Sequence, residues 1–180
     1  MTEEQKMLYS ILEEVISNCK SNWISLSGGL DSSIISHFTK NRNPNSLAII
    51  TKDFLGADLT YSQIVSKHLN IPLEICYVST EQILDGIKNT IKILKNYNDI
   101  EIRNSIVMYL SLDALHKKNV KTVLTGDGAD EIFAGYNFLL KKPKEEIKDE
   151  LKSLKSQLES IIKKPSKEKE QKQWTEVQTG

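Results

Sequence analysis

WISLSGGLDSSII, residues 23–35, changes character in its middle. Trp23, Ile24 and Leu26 belong to a short run that reads as a buried strand. Two glycines interrupt it, and Asp31, Ser32 and Ser33 then lead into a second apolar run. Gly28 and Gly29 permit positive φ and remove the side chains that would hold a bulky anion away from the backbone. Ser27, Ser32 and Ser33 add hydroxyls, and a helix starting near Asp31 aims unpaired N–H groups and its positive dipole end at the same spot. The stretch is built as an anion cradle. It is neither a G-x-x-x-x-G-K-[ST] loop nor a G-x-G-x-x-G fingerprint, neither of which occurs in the chain. No lysine stands in it to neutralise phosphate, so Asp31 points to a divalent cation shared with phosphate oxygens. The plainer alternative is a strand-to-helix turn with Asp31 as the N-terminal cap.

Outward from this loop the chain alternates. Apolar residues at helical spacing predict a helix over about residues 3–18 before the first strand, 23–26. A helix over 31–39 follows and ends in the segment that contains Pro44. Further strands are predicted at 46–51, 73–78 and 120–125, with helices at about 59–69, 80–95 and 103–118. Strands alternating with helices predict an α/β fold, a parallel sheet with helices on both faces. Ligands in such sheets sit where loops leave the carboxyl ends of strands. Two unusual polar loops fall at such ends.

The second loop runs from Thr125 to Tyr136 and carries Asp127, Asp130 and Glu131 beside Gly126 and Gly128. Its spacing does not fit a calcium loop. Acids so close together repel bare phosphate, and the two loops cooperate only if magnesium bridges them, with Asp31 on one side and Asp130 on the other. The alternative is a capped turn with solvated acids.

These motifs carry a resemblance. SGGLDSS resembles the PP-loop signature of ATP pyrophosphatases, and LTGDGADEIFAGY, residues 124–136, is similar to the second motif of the synthetase domain of asparagine synthetases. IRNSIVMYL, residues 102–110, resembles the family segment just before that motif, and SLAIIT with ADLTYSQIVSKHLNIPLE stands in the place of its second strand and helix. The match runs in order over about residues 20–138. It implies an adenine nucleotide alpha hydrolase-like, Rossmann-like fold, and a ligase that uses ATP and Mg2+ to adenylate the side-chain carboxylate of aspartate. Pyrophosphate leaves, ammonia attacks, and asparagine and AMP result. By the same resemblance Leu26 and Ile49 contact the nucleotide, and Thr125 and Gly126 meet adenine or ribose. Ser27, Gly28, Gly29, Asp31, Ser32 and Ser33 hold pyrophosphate, and Asp31 and Asp130 hold magnesium. Asp127 takes the place of the acid tied to acyl-adenylate formation and ammonia use. Arg103 positions a carboxylate or phosphate, or is a surface arginine at a helix start. Alternatives are another PP-loop adenylating enzyme and a truncated relative that binds nucleotide without turnover.

The chain departs from that pattern at both ends. It begins MTEEQK, without the N-terminal cysteine nucleophile of a glutaminase domain, so free ammonia or a separate glutaminase subunit is the expected nitrogen source. Downstream, nothing resembles the family's catalytic lysine or substrate-binding segment. Residues 1–140 are expected to form the ATP-binding synthetase domain, 141–165 an amphipathic helix and 166–180 a disordered tail. Ile147, Leu151, Leu154, Leu158 and Ile161 recur at spacings of four and three, which fits a homodimer seam or a helix packed on its own domain.

Composition narrows the classes further. Of 180 residues 39% are apolar, enough for a globular core, and 24 basic side chains balance 24 acidic ones. Residues 1–140 carry 13 basic and 16 acidic side chains, a net charge of −3, so nucleic acid is not an expected partner. Cys19 and Cys76 stand apart in no metal or disulfide pattern. No basic, apolar leader is seen and no apolar run approaches the roughly 18 residues of a membrane span, so a cytoplasmic protein without a membrane partner is expected.

Overall fold

Capping chemistry sets the first boundaries. Thr2 and Gln5 form a reciprocal capping box that opens helix α1 (Glu3–Asn18), with the Thr2 amide donating to Gln5 Oε1 at 2.9 Å. Ser79 and Gln82 open α4 (Thr80–Leu94) in the same way, and Asn98 caps α5 (Asp99–His116) by accepting from the amides of Ile100 and Glu101. The computed structural model describes residues 1–52, 57–95, 97–136 and 139–162. They fall into two compact units, one within residues 1–126 and the other made of the described residues from Asp127 onward.

In the first unit, strands β1 (Trp23–Ser25), β2 (Asn45–Thr51) and β3 (Leu73–Val78) lie in that order and parallel. Helix α2 (Leu30–Thr39) crosses from β1 to β2, and α3 (Ala57–Leu69) from β2 to β3. Both crossovers run in one direction along the sheet, so right-handed connection places α2 and α3 on one face, where they touch each other. Side chains alternate along β1, and Ser25 turns to the other face, where its Oγ lies 3.3 Å from Ser111 Oγ of α5. Helix α4 packs on α5, and α1 on α2. The core is Ile24, Leu26, Leu47, Ala48, Ile50 and Val78 of the sheet region, with Leu110 and Leu115 of α5 over it.

One strand differs from expectation. Residues 120–125 make a single parallel bridge, Leu124 to Ile24, with Ser25 N–H donating to Leu124 O at 2.9 Å and Leu124 N–H to Trp23 O at 2.8 Å. The ladder stops because Ser21 Oγ donates to the Thr122 carbonyl at 2.7 Å, taking an acceptor that a longer strand would use. At the other end β1 has already turned into the glycine loop. Leu124 still enters beside β1, so the second polar loop leaves from the edge the sequence indicates.

The interior is rich in short hydroxyl side chains. Ser36 and Ser46 are fully buried, and their hydroxyls donate to Ser32 O and Pro72 O. Ser62 and Thr39 do the same to Leu59 O and Ile35 O. Thr90, 2% exposed on α4, is the exception, with a hydroxyl that has no partner among the described residues.

In the second unit α6 (Ala129–Phe133) packs against α7 (Lys144–Ile162). Ile147, Leu151 and Leu154 of α7 are half-buried, and Lys142 pairs with Glu150 at 2.7 Å. The side chains of Leu158 and Ile161, and the tail expected at 166–180, lie outside the described residues. Among the described residues no helix is long and apolar enough to cross a membrane.

Candidate functional site

The glycine loop begins where β1 ends. Leu26, 1% exposed, fixes the strand end by donating to Leu47 O at 2.8 Å. The chain then turns through Gly28 at φ +82°, and Gly29 takes the N-cap position of α2 with no side chain capping it. The cap assigned to Asp31 in the plainer reading is therefore absent. Asp31 sits inside the first turn, half-buried, and its carboxylate makes no hydrogen bond among the described residues. The amides of Leu30, Asp31 and Ser32 precede the first intrahelical bond, Ser33 N–H to Gly29 O at 3.0 Å. They remain aimed out of the helix start, where its dipole favours an anion.

The loop hydroxyls are turned inward. Ser27 Oγ lies 3.1 Å from Ser32 Oγ, and Ser32 and Ser33 both donate to Gly29 O, at 3.1 and 2.7 Å. Three rotatable hydroxyls satisfied by one another and by one carbonyl can turn toward an incoming oxyanion without moving the backbone. Two neighbours close the cradle. A Cβ on Gly28 would stand 2.5 Å from the Tyr61 carbonyl carbon and 2.6 Å from Tyr61 Cβ, so α3 lies directly against the loop. A Cβ on Gly126 would stand 2.8 Å from Asp31 Cβ and 3.1 Å from Ser32 N. Gly126 and, with it, Thr125 thus reach the start of α2, and only a glycine permits that approach.

Ile49 is half-buried in the middle of β2, opposite Cys76 of β3. The Cys76 thiol is pushed up by burial first and by Glu74 next; both cysteines are half-buried free thiols. Arg103 lies on the first turns of α5, exposed, and its guanidinium reaches back to Asp99 at 2.6 Å. The structure thus brings Leu26, the 27–33 loop and Gly126 together, and holds Arg103 in a surface ion pair.

The second unit carries the remaining acids. Gly128 at φ +91° starts α6 and Ala134 at φ +58° ends it, so the chain reverses within a few residues. Asp127 is exposed, and Asp130 and Glu131 are half-buried in the first turn of α6. Tyr136 Oη donates to Glu131 Oε1 at 2.5 Å. Its phenol is pushed up to about 12 by that bond first, then by burial and the charges of Glu131, Asp130 and Asp127. The sequence suggests only packing for Tyr136. An acid five residues before a tyrosine, across an Ala-Gly turn, is the signal that could have paired them.

A nucleotide polyphosphate fits the cradle, because the uncapped amides, the hydroxyls and the Gly126 approach supply donors and room. A hard divalent cation fits the donor chemistry of Asp31. Among the described residues no three His, Cys, Asp or Glu side chains gather as a cation cage. A cation held by Asp31 would need phosphate oxygens and water to complete its shell.

Comparison with known proteins agrees with these motifs. Asparagine synthetase B [glutamine-hydrolyzing] of Escherichia coli (strain K12) is 30% identical over 160 residues, covering 79% of this chain and 29% of that protein. Asparagine synthetase [glutamine-hydrolyzing] 1 of Arabidopsis thaliana is 31% identical over 130 residues, covering 67% and 22%. The chain thus spans under a third of the length of these relatives. Among solved structures, an NH3-dependent NAD synthetase from Campylobacter jejuni aligns with a TM-score of 0.46 at 21% identity, over 76% of this chain and 62% of that one. Residues 24–179, from β1 through both polar loops and beyond, match the model of the asparagine synthase family, and the chain belongs to that family.

Proposed function

We propose that the protein is an ATP-dependent amide-forming ligase that adenylates the side-chain carboxylate of aspartate for attack by ammonia. The observation that carries this reading is the uncapped start of α2, lined by rotatable hydroxyls and closed by Gly126, in a chain of the asparagine synthase family. Such a site stabilises negative charge that builds on a departing pyrophosphate, because its donors are already in place.

The roles divide as follows. Residues 27–33 hold the β- and γ-phosphates through backbone N–H groups and the Ser27, Ser32 and Ser33 hydroxyls. Leu26, just past the end of β1, and Ile49, within β2, contact the nucleotide, while the Thr125 and Gly126 backbone meets adenine or ribose. Asp31 and Asp130 are the carboxylates for Mg2+. When bound, the ion neutralises phosphate charge and polarises the scissile bond. Asp127 serves formation of the acyl-adenylate and capture of ammonia. Arg103 exchanges its Asp99 partner for a substrate carboxylate or phosphate. Residues 1–140 act as the ATP-binding domain, with the 141–165 helix and the 166–180 tail appended. Ammonia comes free or from a separate glutaminase subunit, and α7 is the element through which a homodimer would form.

The test is to incubate the protein with MgATP, aspartate and ammonium and to measure pyrophosphate and AMP. Aspartate-dependent pyrophosphate is expected. ATP binding without pyrophosphate from any acid would replace this reading with nucleotide binding alone. Asp31→Ala should weaken Mg2+-dependent ATP binding about tenfold, ~1.4 kcal/mol. Asp127→Ala should leave binding within about twofold and stop turnover. Equal loss of binding in both variants would overturn the division of roles.

A further inference from the structure

The outer side of β1 is taken at Ile24 by Leu124, whereas β3 is the last strand in the order β1-β2-β3. Ser46 N–H donates to Pro72 O at 3.0 Å and Lys52 N–H to Val78 O at 2.9 Å. With Ser46 opposite Leu73, the even-numbered residues of β3 thus turn their backbone groups to β2. Leu73, Ile75 and Tyr77 aim their N–H and C=O groups outward, and none of these groups has a backbone partner among the described residues. Such an edge is a template for another strand, which natural sheets blunt with Pro, Lys or a bulge. LEICYV, residues 73–78, contains no Pro or Lys. It runs in unbroken register with β2 from Leu73 to Val78 and leaves Tyr77 exposed. Its one charged side chain, Glu74, is paired with Lys118 at 2.7 Å.

We propose that the β3 edge is a self-association surface, which a second copy of this chain joins antiparallel about a two-fold axis at Ile75. Register is what favours a second copy. Antiparallel strands exchange paired bonds between residues whose groups face each other. The outward groups therefore set Leu73 opposite the partner's Tyr77, Ile75 opposite the partner's Ile75 and Tyr77 opposite the partner's Leu73. Each of these pairs lays apolar against apolar on one face of the sheet. On the other face Glu74 stands opposite the partner's Cys76, so the two acids are not directly opposed and the Lys118 pair persists. A shift of two residues either opposes Glu74 to itself or leaves Leu73 without a counterpart. The join makes one six-stranded sheet from two of three strands. Its two-fold turns one glycine loop toward each end of that sheet, so each copy keeps its own ligand site and the inference stands independently of the ligase reading. The surface lies in the first unit and is separate from α7.

The test uses the full chain. Sedimentation velocity should show a dimer whose population grows with protein concentration. Glu74→Cys sets a thiol opposite the partner's Cys76 in a non-hydrogen-bonded pair, with Cα atoms about 4.5 Å apart, a spacing that suits a disulfide. Mild oxidation of this variant should give a covalent dimer, and peptide mass spectrometry should place its bridge between positions 74 and 76. Tyr77→Lys, at an exposed position, should weaken the dimer about tenfold with the circular dichroism spectrum unchanged. Ile75→Lys, which sets like charges directly opposite at the two-fold, should weaken it further. A chain that is monomeric at every concentration overturns the proposal, including one whose Leu73, Ile75 and Tyr77 amides resist hydrogen exchange because another strand covers them. So does a dimer that forms no bridge between positions 74 and 76, or one that both lysine variants leave intact, since it joins elsewhere, as through α7.

Discussion

Gly28 shows how one residue ties the fold to the site. Its φ of +82° is costly for an L side chain, and a Cβ there meets the α3 backbone at Tyr61 and Ser62. Gly28→Ala should destabilise the protein by about 2 kcal/mol or more and abolish ATP binding. Urea unfolding and a binding titration check the two effects. A variant that unfolds normally and binds ATP would show that α3 can withdraw from the loop. Gly28, Gly29 and Asp31 were legible in the sequence because an interrupted apolar run before a helix has few other uses. Tyr136 was not, since its partner is set by the left-handed return at Ala134, a conformation that alanine seldom adopts.

Among the elements, α1 has no basic residue of its own in its last turn, where carbonyls lack partners. Arg42, on the 3-10 turn that follows α2, supplies the missing charge. It donates to Cys19 O at 2.5 Å and to Ile16 O at 3.0 Å. Arg42→Ala should cost about 1 kcal/mol and speed amide exchange in α1, leaving β2 and β3 protected. Uniform acceleration over the whole first unit would mean that Arg42 supports the core rather than one helix. The helix and strand order read well from apolar spacing, because each element buries one face or two. The segment 120–125 did not, because a strand is defined by its partner. Its apolar run is real, but Ser21 intercepts the ladder at Thr122.

For the whole molecule, a parallel α/β arrangement followed from the alternation of elements. The sequence also placed each polar loop after a strand, and β1 precedes the first, whereas the run before the second makes only the single bridge of Leu124 to Ile24. Less legible was how far the first unit is self-sufficient. Ile24, Leu26, Leu47, Ala48, Ile50, Val78, Leu110 and Leu115 are all buried within residues 1–126. A chain ending at Gly126 should therefore unfold in one cooperative urea transition followed by circular dichroism. A broad, probe-dependent loss of signal would show that the core needs the second unit.

The buried hydroxyls have a consequence for how the sequence can vary over time. Ser36, Ser46, Ser62 and Ser111 are at most 2% exposed, and in a close-packed interior a larger side chain must push its neighbours aside. Exchange for alanine forfeits a hydrogen bond worth about 1 kcal/mol, while a leucine must displace a helix or a strand. Interior drift is thus channelled into the aliphatic positions of the sheet, which can trade volume with one another. The serine positions stay small whatever substrate the loops come to serve.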